Sequence, residues 1–267
     1  MIDLKQLTAR VCEIATEAGY FLKEERKSFR REQVIEKQAH DYVSYVDKES
    51  ERRLVRALSA LLPEAGFIAE EGSAGYNNEP YCWVIDPLDG TTNYIHDEAP
   101  YCVSIALRNH DELLLGVVYE ICRDECFYAW KGGKAFLNGE EIRVSSVSEL
   151  KDAFLITELP YNHVQYKRMA EHLIHELYGQ VGGIRMNGSA ASALCYVAAG
   201  RFDGWLEAFI GKWDYAAGAL IVQEAGGRVT DFDGSEHFLE GHHIIATNGY
   251  LHPILQRLVA EVPLKNE

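Results

Sequence analysis

The chain has 267 residues, 26 basic and 41 acidic, for a net charge of −15, and 47% of its residues are hydrophobic. This is an ordinary globular composition, long enough for one large domain or two small ones with a sizeable core. The acidic balance argues against direct nucleic-acid binding driven by phosphate neutralisation, but not against an anionic substrate, because bound cations invert the sign of a local site.

No apolar run approaches membrane-spanning length and the N-terminus shows no signal-peptide pattern, so neither a membrane nor secretion is expected. Cys12, Cys82, Cys102, Cys122, Cys126 and Cys195 are scattered and read as reduced, mostly buried thiols of a cytoplasmic protein.

Residues 4–28 carry Leu4, Leu7, Val11, Ile14, Ala18 and Leu22 at helical spacing. Residues 42–46 alternate as a short strand, and Asp47 is placed to cap a helix over about 47–62. Phe67–Ala69 is strand-like and runs into Glu70 and Glu71; 73–80 is a polar loop. A strand then opens at Tyr81 and should end at Asp86, since Pro87 cannot donate to a sheet ladder.

The densest chemistry follows in Asp86-Pro87-Leu88-Asp89-Gly90-Thr91-Thr92-Asn93. Gly90 permits a tight turn, and Thr91 or Thr92 can cap a short helix towards His96. Two carboxylates and the Leu88 carbonyl suit a hard divalent cation such as Mg²⁺. Free backbone N–H groups at Gly90 and Thr91 suit a phosphate. A cation beside a phosphate cradle is what metal-assisted phosphoryl transfer needs.

Strands over 101–108, 113–120 and 125–130 have short polar connections and read as antiparallel. Asn138-Gly139 marks a hairpin between 135–137 and 142–144. A polar seam over 145–152 precedes a strand at 153–157 and a helix at 164–178, whose His172 and His175 read as surface residues. Gly183 to Ala191 reads as strand, glycine turn and helix start, and 202–207 as a further strand. Trp213-Asp214 heads a helix with Asp214 at its N-cap; strands near 228–231 and 244–247 and a helix from about 250 close the chain. Pattern alone gives mixed α and β.

The string D-P-L-D-G-T-T-N resembles the signature of the inositol monophosphatase family, within the lithium-sensitive, magnesium-dependent phosphatases, and W-D-Y-A-A-G at 213–218 resembles a second motif of that family. Segments at 70, 86–93, 185–190 and 207–218 follow the family's order over nearly the full length. The resemblance implies a layered αβαβα sandwich, one domain over 1–267, with a metal- and phosphate-binding half to about 150 and a substrate-lining half after it. It implies two or three Mg²⁺ ions held by Glu70, Asp86, the Leu88 carbonyl, Asp89 and Asp214. Glu70 and a Thr91–Asp47 pair would orient the attacking water. Leu88, Asp89, Gly90, Thr91, Arg185, Gly188, Ser189, Ala190, Glu207 and Asp214 would contact substrate. Lys37 and Asp41 fall on further family positions, and Ala69 replaces a usual glycine.

The implied reaction is hydrolysis of a small phosphate monoester, first myo-inositol 1-phosphate. Alternatives on the same scaffold are fructose 1,6-bisphosphate, histidinol phosphate and 3′-phosphoadenosine-5′-phosphate. A homodimer is implied by the same resemblance. The alternative of another class is a binding protein of the transcription or RNA machinery, as some bacterial relatives are.

Overall fold

The computed structural model describes residues 2–30, 32, 34–38, 41–110, 112–159 and 164–261, with the backbone alone at 35–38 and 41–43. Helix α1 (Leu4–Arg26) is followed by a small ribbon, β1 (Ile35–Gln38) and β2 (Asp41–Val43), and by α2 (Tyr45–Leu61). Then come β3 (Ala65–Ala69), β4 (Tyr81–Asp89), the short α3 (Thr91–His96), β5 (Cys102–Arg108), β6 (Leu113–Glu120), β7 (Glu125–Trp130), β8 (Ala135–Leu137) and β9 (Glu140–Ile142). Strands β3 to β9 form one sheet in chain order, antiparallel except for the parallel β3–β4 pair.

The remainder is β10 (Phe154–Thr157), α4 (Lys167–Leu177), β11 (Gly183–Arg185), α5 (Ala190–Ala198), β12 (Gly204–Ala208), α6 (Lys212–Glu224), β13 (Arg228–Thr230), β14 (His243–Thr247) and α7 (His252–Ala260). Its five strands form a second sheet in the order β11-β10-β12-β14-β13.

The strand sequences explain the layering. On β4, Trp83 and Ile85 face one core with α1 and α2, while Cys82 and Val84 face another with α5 and α6. Both sheet faces are covered, so the strand is apolar at every position from Tyr81 to Ile85 rather than at alternate ones. Trp205, Ile244 and Ala246 of the second sheet close the α5–α6 core from the other side. Leu155, Leu206 and Ile245 pack outward on α4 and α7. The order helix, sheet, helix, sheet, helix is the αβαβα sandwich.

Helix α6 lies close enough on β6 that a Cβ at Gly116 would stand 2.5 Å from the Ala217 carbonyl oxygen. A larger residue at position 116 would push away the helix that carries Asp214. Among the described residues no helix is long and apolar enough to cross a membrane.

Several boundaries differ from the sequence reading for local reasons. Strand β4 does not stop at Asp86 but runs to Asp89 through a bulge. Pro87 falls inside that bulge, where no ladder donor is required. Neither Thr91 nor Thr92 caps α3: Gly90, at φ 88°, makes the turn and occupies the cap position. Asp47 and Asp214 are not N-caps either. Each is the third residue of its helix and reaches back to the N–H of the cap residue, Ser44 and Gly211 respectively. The second hairpin strand is Glu140–Ile142 rather than 142–144.

Candidate active site

Asp86 and Asp89 are three residues apart, so on a regular strand they would face opposite sides of the sheet. The bulge removes that difference. Asp86 pairs with Ser104 and Asp89 with Cys102, so three steps on β4 match two on β5. The extra residue turns Asp89 to the same side as Asp86, towards the start of α6. There α6 presents Asp214. One carboxylate oxygen from each of Asp86, Asp89 and Asp214 lies within 4.8 Å of the others. This is the one such group of potential metal ligands among the described residues.

Each acid commits an oxygen to the chain. Oδ1 of Asp86 accepts the Leu88 N–H at 2.8 Å, and Oδ2 of Asp214 accepts the Gly211 N–H at 2.9 Å. Oδ2 of Asp89 accepts the Ser189 hydroxyl at 2.5 Å, the Ala191 N–H at 2.8 Å and the Cys102 thiol at 3.6 Å. The carboxylates are therefore held rigidly while carrying spare acceptor capacity.

Burial pushes the carboxyls of Asp86 and Asp214 well above the ordinary range, and the neighbouring acids push them further: Asp214 and Asp89 act on Asp86, and Asp89 and Glu70 on Asp214. Burial also raises Asp89, opposed by its Ser189 and Ala191 donors. Three packed carboxylates with no cationic side chain in the group fit a hard divalent cation, which would relieve both desolvation and repulsion.

Glu70 follows β3 and its N–H bonds the Ile85 carbonyl across the parallel pair at 3.3 Å. It adds to the field at Asp214 but is not one of the three clustered acids. The Thr91 hydroxyl stands 3.1 Å from Oδ1 of Asp47 and 3.0 Å from the Leu88 carbonyl oxygen. It has one proton, and the carboxylate is the stronger acceptor. Asp47 is fully buried; burial raises its carboxyl, while Ser44 and Thr91 donors oppose the rise.

The residues expected to line the substrate divide. Gly188 and exposed Arg185 border a groove of about 850 Å³, with Arg185 lying over the Phe154 ring at 4.8 Å. Ser189 and Ala190 are buried; the Ser189 hydroxyl is turned to Asp89, with Ser189 capping α5. Glu207 carries a buried Oε2 with no hydrogen-bond partner among the described residues. Burial, then the charges of Glu158 and Asp89, push its carboxyl well above the ordinary range. Lys37 and Asp41 lie in β1 and β2, and their side chains are outside the described set.

Four contributors escape sequence reasoning. Glu158, at the end of β10, accepts the N–H groups of Asn187 and Gly188 at 2.7 and 2.9 Å, and burial lifts its carboxyl to about 7. Asn93 donates to the carbonyls of Pro100 and Asn187, each at 2.7 Å, tying α3 to the groove loop. Ser50 donates to the Pro87 carbonyl at 3.1 Å, and Glu51 holds the loop after Glu70. The available signal was position: Glu158 ends a strand as Glu70 does, and Ser50 and Glu51 stand three and four residues after Asp47.

His172 and His175 form no metal pair; His172 faces the Leu258 carbonyl and His175 is exposed.

The model of the inositol monophosphatase family matches residues 3–264. The chain belongs to that family. It is 45% identical to the protein named Nus factor SuhB of Pseudomonas aeruginosa, over 80% of this chain and 81% of that one. It is 39% identical to the inositol-1-monophosphatase of Rhizobium meliloti, over 85% of this chain and 86% of that one. The solved structure of inositol monophosphatase from Anabaena superposes with a TM-score of 0.85 at 33% identity, over 98% of both chains. As a member of the family, the chain carries an acidic cluster suited to a metal and a phosphatase scaffold.

Proposed function

We propose that this chain is a Mg²⁺-dependent phosphoric monoester hydrolase whose first substrate is myo-inositol 1-phosphate. The observation that carries the reading is the convergence of Asp86, Asp89 and Asp214, with Thr91 and Asp47 hydrogen-bonded beside them. Two Mg²⁺ ions would be shared by Asp86, Asp89, Asp214, Glu70 and the Leu88 carbonyl, with a third, weaker ion beside Glu70. When bound, such ions polarise the phosphate, activate water and neutralise the departing oxygen.

The chain's own residues do the rest. Thr91 donates its proton to Asp47 and keeps lone pairs with which to hold the attacking water, together with Glu70. The N–H groups of Gly90 and Thr91 take phosphate oxygens at the start of α3. The free oxygen of Glu207 accepts a substrate hydroxyl, and Arg185 and Gly188 border the ring, with the buried Ala190 behind them. The orphaned acceptor on Glu207 favours a hydroxyl-rich leaving group, since a buried acceptor left unmatched is unfavourable.

The test is phosphate release from inositol 1-phosphate, fructose 1,6-bisphosphate, histidinol phosphate and 3′-phosphoadenosine-5′-phosphate. Each is run with Mg²⁺, with chelator, and with Asp86→Asn. Release that needs Mg²⁺ and vanishes in the variant is expected; preference for another member of the panel would move the substrate. No release from any would overturn the hydrolase.

A second reading rests on the relative named Nus factor SuhB. We propose it as the alternative: a transcription-associated binding protein whose role needs no metal. Equal recovery of transcription proteins by wild type and Asp89→Asn would support it. We also propose the homodimer that the family resemblance implies; sedimentation at the monomer mass would refute it.

A further inference from the structure

Helix α2 reaches the site with more than Asp47. Asp47, Ser50 and Glu51 stand at helical spacing on one face, and all three are fully buried. Each meets a different segment of the site. Asp47 meets Thr91, Ser50 meets the Pro87 carbonyl inside the bulge, and Glu51 meets the loop that follows Glu70.

The Glu51 contact is the most specific. Its Oε2 accepts the Glu71 N–H at 2.7 Å and its Oε1 accepts the Ser73 N–H at 2.7 Å. The two amides flank Gly72, which turns with φ 71° and whose own N–H returns to the Ala69 carbonyl. The loop therefore closes on a buried carboxylate, with both oxygens occupied by backbone donors. A buried carboxylate is unfavourable unless it is hydrogen-bonded, and here the bonds are charge-assisted. A solvated loop end needs no such anchor. Glu70 is the residue immediately before this clamp, and of the four acids it alone comes from a loop rather than from the bulge or a helix.

We propose that Glu51 is a positioning residue that sets the reach of Glu70 towards the Asp86, Asp89 and Asp214 cluster, and so sets the affinity of the site for divalent cations. The proposal rests on the metal-phosphatase reading. It differs from a general packing role for α2 because it acts through one named side chain.

The test measures Mn²⁺ binding by calorimetry on wild type, Glu51→Gln, Glu70→Gln and the double variant. Mg²⁺-dependent phosphate release and the thermal midpoint are followed in parallel. Glutamine preserves the volume but offers one oxygen, so one amide loses its acceptor. Mn²⁺ affinity in Glu51→Gln is expected to fall about 10- to 100-fold, the range for residues that orient metal ligands. The double variant should bind no worse than Glu70→Gln alone, since the two act as one unit.

Affinity within twofold of wild type in folded Glu51→Gln, or additive losses in the double variant, would overturn the proposal. Should Glu51→Gln fail to fold, amide exchange in the wild type decides: slow exchange at Glu71 and Ser73 supports the clamp, and exchange at free-loop rates overturns it. If wild type neither binds Mn²⁺ nor releases phosphate, the metal-phosphatase reading fails, an outcome distinct from failure of the clamp.

Discussion

The Ser189 hydroxyl lies 2.5 Å from Oδ2 of Asp89, joining the cap of α5, in the helical layer between the two sheets, to the bulged strand β4. The serine also accepts the Ser192 N–H as an N-cap. Replacing it removes a cap and a charge-assisted bond together. Ser189→Ala is expected to destabilise the protein by about 1–3 kcal/mol, read from the urea midpoint. It should also raise the Mg²⁺ concentration for half-maximal activity, because Asp89 loses a restraint. An unchanged midpoint and unchanged Mg²⁺ requirement would mean that this contact does not hold Asp89 in place.

Asp86 and Asp214 oppose stability in the metal-free protein. Asp86 is buried and Asp214 partly so, and each carboxyl is raised by desolvation and by its acidic neighbours. Asp86→Asn retains an oxygen for the Leu88 N–H while removing one charge from the cluster. The metal-free variant should melt about 2–4 °C higher than wild type, corresponding to about 1 kcal/mol in a chain of this size. Its phosphatase activity should fall at least ~100-fold, since a ligand matters no less than the groups that orient it. A lower metal-free midpoint would show that the repulsion is not felt.

Much of this site could be read from the sequence because its chemistry is concentrated in short runs. Residues 86–93 bring two acids, a turn and free backbone N–H groups together in eight positions. What pattern could not show was how Asp86 and Asp89 come to one side. Proline suggested the end of a strand, whereas the chain absorbs it in a bulge, and the bulge is what aligns the acids. Capping rules placed Asp47 and Asp214 one helical turn too early, because an acid at the third position satisfies the same terminal N–H groups as a cap. Ser50, Glu51 and Glu158 were invisible for another reason. Their partners are backbone amides and carbonyls of distant segments, which leave no mark on local spacing. The neighbourhood of Ser189 points to the substrate, whereas the fold turns its hydroxyl to Asp89, a contact 100 residues away in sequence.

Stabilisation by Mg²⁺ should grow with pH. Folding raises the carboxyls of Asp86 and Asp214 above their ordinary value of 3.8, so above that value the folded metal-free state holds more protons than the unfolded one. Their protonation favours the folded state at low pH; that contribution is lost as pH rises, leaving the repulsion that opposes stability. A cation must displace those protons at low pH but finds free carboxylates at high pH. The thermal shift caused by Mg²⁺ is therefore expected to be larger at pH 8 than at pH 5. Equal shifts would show that the acids are already ionised together at pH 5.

His252 should give a slope opposite to that of the two metal-free carboxyls. It is fully buried at the start of α7, with Nε2 2.9 Å from the Thr230 hydroxyl and Nδ1 3.1 Å from the Thr247 hydroxyl. Burial and then the Arg228 charge lower it from 6.5 to about 4. The folded imidazole stays neutral where the unfolded one takes a proton, so its contribution is intact above about pH 6.5 and fades as pH falls towards 4. The full loss is about 3 kcal/mol. Urea unfolding of wild type and His252→Gln at several pH values isolates this term, because the carboxylates are common to both. The stability difference between the two should narrow from pH 7 to pH 4. Parallel curves would mean that the imidazole takes up its proton at the same pH in the folded and unfolded protein, and that its burial does not lower it.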